Sequence, residues 1–162
     1  MENPPEAPAG RPNLFARDGD RIVEAAAGDL AVAAGYARAT DKGAVSDGYR
    51  LTVLAGSAAC RTGQTIRIIH VCESVAPDAP LYVMGPKPVA GEYVDGHLAA
   101  PPAPPAGEHP LIPRSYDGRV APGPGLDFNF EITEYNFDTP GRHSVQWRPG
   151  SWASNTLWFD VS

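Results

Sequence analysis

From Asp47 onward the chain alternates apolar and polar residues in short runs, with turn residues every roughly 8–12 positions, the rhythm of an all-β sandwich or barrel. Ser46-Asp47-Gly48 turns into a strand over residues 49–54, where Tyr49, Leu51 and Val53 alternate with Arg50 and Thr52. Arg61-Thr62-Gly63 turns into a second strand over residues 64–72. Ile66, Ile68, His70 and Cys72 form one of its faces, and Arg67, Ile69, Val71 and Glu73 the other. It is apolar at most positions, so a central place in a sheet is expected. A loop at Pro77–Pro80 precedes a short strand at 81–84, which Gly85-Pro86 ends. Residues 92–98 read as a hairpin, because Asp95-Gly96 is the dipeptide that a type I′ turn requires.

After Pro122-Gly123-Pro124-Gly125, Leu126, Phe128, Phe130 and Ile132 alternate with Asp127, Asn129, Glu131 and Thr133 in one continuous strand. The apolar phase slips by one residue at Tyr135 and Phe137, which requires a bulge or corner there. Strands over 142–148 and 156–161 follow. Residues 1–20, rich in Pro, Ala and charge, read as a flexible arm, and residues 21–162 as a single domain. Residues 21–40 admit two readings. Ile22, Ala26, Leu30 and Ala33 recur at helical spacing, whereas Gly28 and Gly35 oppose a helix and permit a hairpin at Gly28-Asp29.

Composition sharpens this outline. Gly 17 and Pro 18 in 162 residues exceed the usual share, too much punctuation for a helical bundle. The prolines concentrate at residues 100–113, which must form an extended, polyproline-like connection. A formal net charge of -6 leaves no basic stripe for nucleic acid. No apolar run approaches the roughly 18 residues of a membrane span, and no secretory signal pattern is visible, so a cytoplasmic location is expected. If residues 64–72 are extended, those eight steps alone span about 26 Å, far beyond the roughly 7 Å a disulfide between Cys60 and Cys72 allows, so two free thiols are expected.

The run Phe137-Asp138-Thr139-Pro140-Gly141-Arg142-His143-Ser144-Val145-Gln146-Trp147 resembles the corner and penultimate strand of immunoglobulin-like sandwich domains. His143 stands where those domains carry the corner tyrosine, and Val145 where antibody domains place the second cysteine. The resemblance implies an immunoglobulin-like antiparallel β-sandwich without the inter-sheet disulfide, and it implies no particular function.

The anchors of zincins, P-loop proteins, dinucleotide-binding domains and serine hydrolases are missing, so no cofactor or metal is expected. Tyr93, Asp95 and His97 would share a face only if Asp95-Gly96 were not a turn. Asp127, Asn129 and Glu131 imitate a calcium loop, but Ile132 occupies its glycine position, so they read as a solvated strand face. The leading expectation is a non-catalytic, cofactor-free binding or accessory protein acting through a protein partner or as a homo-oligomer, with no nucleic acid and no membrane. Its contacts would come from Trp152 and Arg148 near the last turn, and from Pro101, Pro102, Pro104 and Pro105, which have PxxP spacing. The alternative is a small cofactor-independent enzyme, a cyclase, isomerase or lyase acting on a hydrophobic small molecule between the sheets. His70 would be its base, with Tyr135 or His143 as the acid partner.

Overall fold

The computed structural model describes residues 12–83, 85–100, 109–111, 116 and 118–162. The chain is mostly β, with one short helix and several antiparallel sheets. A hairpin of β1 (Phe15–Asp18) and β2 (Arg21–Glu24) leads into α1 (Ala27–Ala34) and a single 3-10 turn, Gly35–Arg38. Residues 21–40 therefore contain a strand and a helix in succession, and the hairpin turns at Gly19-Asp20 instead of Gly28-Asp29. Residues 12–20, expected to belong to a flexible arm, are anchored: Leu14 is fully buried and β1 is paired along its length.

One five-stranded sheet contains β3 (Val45–Ser46), β4 (Tyr49–Leu54), β6 (Ile66–Ser74), β11 (Gly125–Asp127) and β12 (Thr133–Tyr135). A second contains β5 (Ala59–Cys60), β8 (Glu92–Val94), β9 (His97–Leu98), β13 (Gly141–Trp147) and β14 (Thr156–Val161). A small pair joins β7 (Leu81–Tyr82) to β10 (Val120–Ala121). The β8–β9 hairpin turns through Asp95 at φ 51 and Gly96 at φ 79, the two left-handed positions of a type I′ turn.

Strand β6 is central, as its two apolar faces require. One edge pairs with β4, and the other with β11 and then β12. Ile66, Ile68 and Cys72 face Val145, Trp147, Phe159 and Val161 of the second sheet in one apolar cluster. Ile69 and Val71 point the other way, into a cluster with Leu14, Ala33, Tyr36 and Phe128. Each such side chain contributes about 1.5–3 kcal/mol by leaving water, so β6 anchors both clusters. Asp29 in the first turn of α1 takes a bidentate pair from Arg67 at 3.0 and 2.8 Å, fixing the helix to this strand.

The expected continuous strand from Leu126 is interrupted. Residues 128–132 leave the ladder, Lys87 bridges Phe130, and the backbone N–H of Lys87 donates to Asn129 O. The phase therefore slips here, before Tyr135. Phe128 enters the helix-side cluster and Phe130 the inter-sheet cluster. Asp127 and Asn129 are 4% and 0% exposed, so two residues of the expected solvated face are buried and Glu131 alone remains exposed. Cys60 and Cys72 are free thiols.

The side chain of Asn155 acts as one more residue of strand for β4. Its Oδ1 accepts from Val53 N at 2.8 Å and its Nδ2 donates to Val53 O at 3.2 Å. Replacing Asn155 with Ala leaves both groups of fully buried Val53 unsatisfied, and urea unfolding is expected to show a loss of about 2 kcal/mol at unchanged m-value.

Candidate functional site

The gap in the ladder lies beside His70, and here the two sheets are joined by polar groups. Glu92 opens β8 with the same inward parity as Val94, and it is 0% exposed. Its Oε2 lies 2.5 Å from His70 Nε2, while its Oε1 accepts from Thr133 Oγ1 and Tyr135 Oη, each at 2.5 Å. His70 comes from β6, and Thr133 and Tyr135 from β12, so a carboxylate of the second sheet takes three hydrogen bonds from the first.

Burial alone would raise the Glu92 carboxyl, but the imidazole of His70 and the hydrogen bonds from His70, Thr133 and Tyr135 outweigh it and hold the group below the ordinary carboxylate range. An ionised Glu92 can only accept, so His70 Nε2 carries the donated proton. Burial and the neighbouring carboxylate push the Tyr135 phenol up, which keeps it a donor. Trp147 closes the site by packing edge-to-face on His70 at 5.0 Å, its own Nε1 donating to Ala90 O. His70 Nδ1 is buried with no hydrogen-bond partner among the described residues.

The structure thus brings together two residues of the expected acid–base set, His70 and Tyr135, through an acid that residue patterns had assigned only to a hairpin. His143 does not join them. Its Nδ1 lies 2.7 Å from Asp95 Oδ2, and its Nε2 lies 2.8 Å from Thr139 O, so the ring bonds back to the corner four residues earlier. Bonding to Asp95 and to the Thr139 carbonyl raises the His143 pKa.

A second buried constellation was not foreseen. Lys87 and Asp127 are 1% and 4% exposed, and Lys87 Nζ lies 2.9 Å from Asp127 Oδ2. The ammonium also lies over the Phe130 ring at 4.4 Å. A cavity of about 10 Å³ adjoins the pair, lined also by Cys72, Tyr82 and His109. Burial lowers the His109 pKa, and its ring packs among Tyr49, Tyr82 and Trp152.

The expected partner-binding residues divide. Trp152, expected to supply partner contacts, is 6% exposed, because its indole packs against Tyr49 and donates to Asp47 Oδ2. Arg148 is exposed and lies over the Tyr93 ring at 3.9 Å. Pro101, Pro102, Pro104 and Pro105 lie outside the described residues. The exposed aromatic is Trp158, 49% exposed, with Arg142 over its ring at 4.3 Å. Register places Arg142, Arg148, Tyr93, Trp158 and Leu98 on the outer face of the second sheet.

Surface hollows of about 370, 240 and 260 Å³ are lined by residues of α1 or β1, and none is lined by His70, Glu92 or Tyr135. Among the described residues no group of three or more His, Cys, Asp or Glu could hold a metal ion, and no helix is long and apolar enough to cross a membrane. Comparison with protein-family models, with curated proteins and with solved structures found no match for this chain.

Two predictions follow from the charges. Glu92 has a depressed folded-state pKa, so its contribution is present above about pH 4.3 and is lost as pH falls through the folded value. Glu92→Gln should cost about 3 kcal/mol in urea unfolding at pH 7, and the deficit should shrink on acidification below about pH 4. His143 has a raised pKa, so its contribution is present below about pH 6.5 and is lost as pH rises through the folded value. The wild type should lose Tm between about pH 6 and 8, and Asp95→Asn, which keeps the turn, should flatten that fall.

Proposed function

We propose that this chain is a non-catalytic binding or accessory β-sandwich protein, immunoglobulin-like in architecture, that acts through a protein partner or by self-association. One observation carries the reading. The side chains of His70 and Glu92, the groups best suited to acid–base chemistry, are each 0% exposed, so no substrate reaches them in this conformation. Their hydrogen bonds run to one another and to Thr133 and Tyr135, spanning the two sheets. This favours a clasp between layers over a general base lining a pocket, whose polar groups must converge on accessible space.

Recognition then falls to the outer face of the second sheet. Trp, Tyr and Arg are the residue types that dominate interface energetics, and Trp158, Tyr93, Arg142 and Arg148 stand there beside exposed Leu98. In this reading Arg148 is again a contact residue, and Trp158 takes the place of buried Trp152 as the aromatic anchor.

The two functional classes separate by ligand response. A thermal-shift panel of hydrophobic small molecules should give no saturable rise in Tm, whereas a saturable rise abolished by His70→Leu would show a ligand site between the sheets and favour the enzyme instead. Sedimentation velocity across a wide concentration range should show association that Trp158→Glu weakens at least tenfold, or a monomer whose isolated partner complex the same substitution disrupts. Association indifferent to Trp158 would overturn this assignment of the face.

A further inference from the structure

The geometry points to Lys87 and Asp127 as a modification site, at which the side chains condense to an intramolecular amide with release of one water. The amine nitrogen and the carboxylate already touch, Nζ to Oδ2 at 2.9 Å, and both residues are shielded from solvent. Fixing two reactants in contact replaces a bimolecular encounter with an intramolecular step, which lowers the barrier in well-oriented systems.

The surroundings of Asp127 favour attack at its carboxyl carbon. Oδ1 accepts from Asn13 Nδ2 at 3.1 Å and from the backbone N–H of Asn129 at 2.9 Å. These two donors are aimed at the oxygen that would bear negative charge in a tetrahedral intermediate, as in an oxyanion hole. Oδ2, the oxygen facing the amine, is left as the departing atom. Lys87 Nζ is held in place by Tyr82 O at 3.1 Å and by the Phe130 ring beneath it.

The step balances without an oxidant or cofactor. One proton passes from Nζ to Oδ2 along their hydrogen bond, giving amine and carboxylic acid. The Nζ lone pair then attacks Cγ, and the carbonyl electron pair moves onto Oδ1. A second proton passes from Nζ to Oδ2, the Cγ–Oδ2 bond breaks, the electron pair on Oδ1 re-forms the carbonyl, and water leaves. The product is an amide N–H on Nζ. The adjoining cavity, about 10 Å³, has the size of one water molecule and would receive it. His109 lines that cavity, and its Nε2 is buried without a hydrogen-bond partner among the described residues, leaving a group to bond the released water. Exclusion of bulk water slows the reverse hydrolysis.

The test is intact-mass measurement of the purified full-length protein after incubation near neutral pH, with peptide mapping by tandem mass spectrometry. The wild type should weigh less than its sequence by the mass of one water and yield a branched peptide joining Lys87 to Asp127. Lys87→Arg preserves a cation opposite Asp127 but removes the condensable amine, and should show the full sequence mass. A wild-type mass equal to the sequence mass, with the two residues recovered in separate linear peptides, would overturn the proposal. So would a water loss that persists in Lys87→Arg, since it would arise elsewhere, as at an Asp-Gly step.

Discussion

A carboxylate enclosed between two sheets must find hydrogen-bond donors on the opposite layer, and this requirement organises the molecule. Glu92 belongs to the second sheet and, among the described residues, its side-chain donors belong to the first. An ionised group left unpaired there would cost several kcal/mol, so the sheets are held to the one register that delivers His70, Thr133 and Tyr135 together. Apolar packing of Trp147, Phe130 and Phe159 supplies most of the attraction between the layers but tolerates sliding. The polar clasp supplies the discrimination. The interruption at residues 128–132 belongs to the same arrangement, because it lets β11 and β12 share one edge of β6 while Phe130 turns into the core.

The same logic recurs at Lys87 and Asp127, where a cation and an anion that could not be buried singly are buried as a pair. Phe130 contacts Lys87 on one side and Trp147 on the other, and Trp147 contacts His70. The two constellations are thus linked by packed rings within one inter-sheet layer. His143 and Asp95 form a third pair nearer the surface, tying the β8–β9 turn to the corner before β13.

Much of the β framework was legible because period-two alternation and turn chemistry are local. Tyr49–Leu54 and Thr156–Val161 have the expected bounds, and Asp95-Gly96 turns as its dipeptide demands. The central position of β6 followed from apolar residues on both faces. What local pattern could not give was the destination of charged residues. Asp127 alternates with apolar neighbours as a solvated residue would, and its burial depends on distant Lys87 and Asn13 together with the Asn129 backbone N–H. Glu92 carried one faint signal, its shared parity with Val94. The loop position of Trp152 left its burial open, and Tyr49 and Asp47, about a hundred residues away in sequence, bury it. The anchoring of Leu14 likewise depends on a cluster assembled from α1, β6 and the segment after β11. Of the candidate site, His70 and Tyr135 were legible as polar groups on inward-facing positions, but the acid joining them was not.

The central claim is that the His70–Glu92 clasp is a sealed structural joint. Hydrogen exchange of the His70 Nε2 proton, followed by nuclear magnetic resonance against the global unfolding free energy of the same sample, tests it most directly. The account predicts a resolved downfield proton that exchanges only through global unfolding. Exchange through a local opening far cheaper than global unfolding would contradict it, and would mean that the space between the sheets opens to solvent and to substrates.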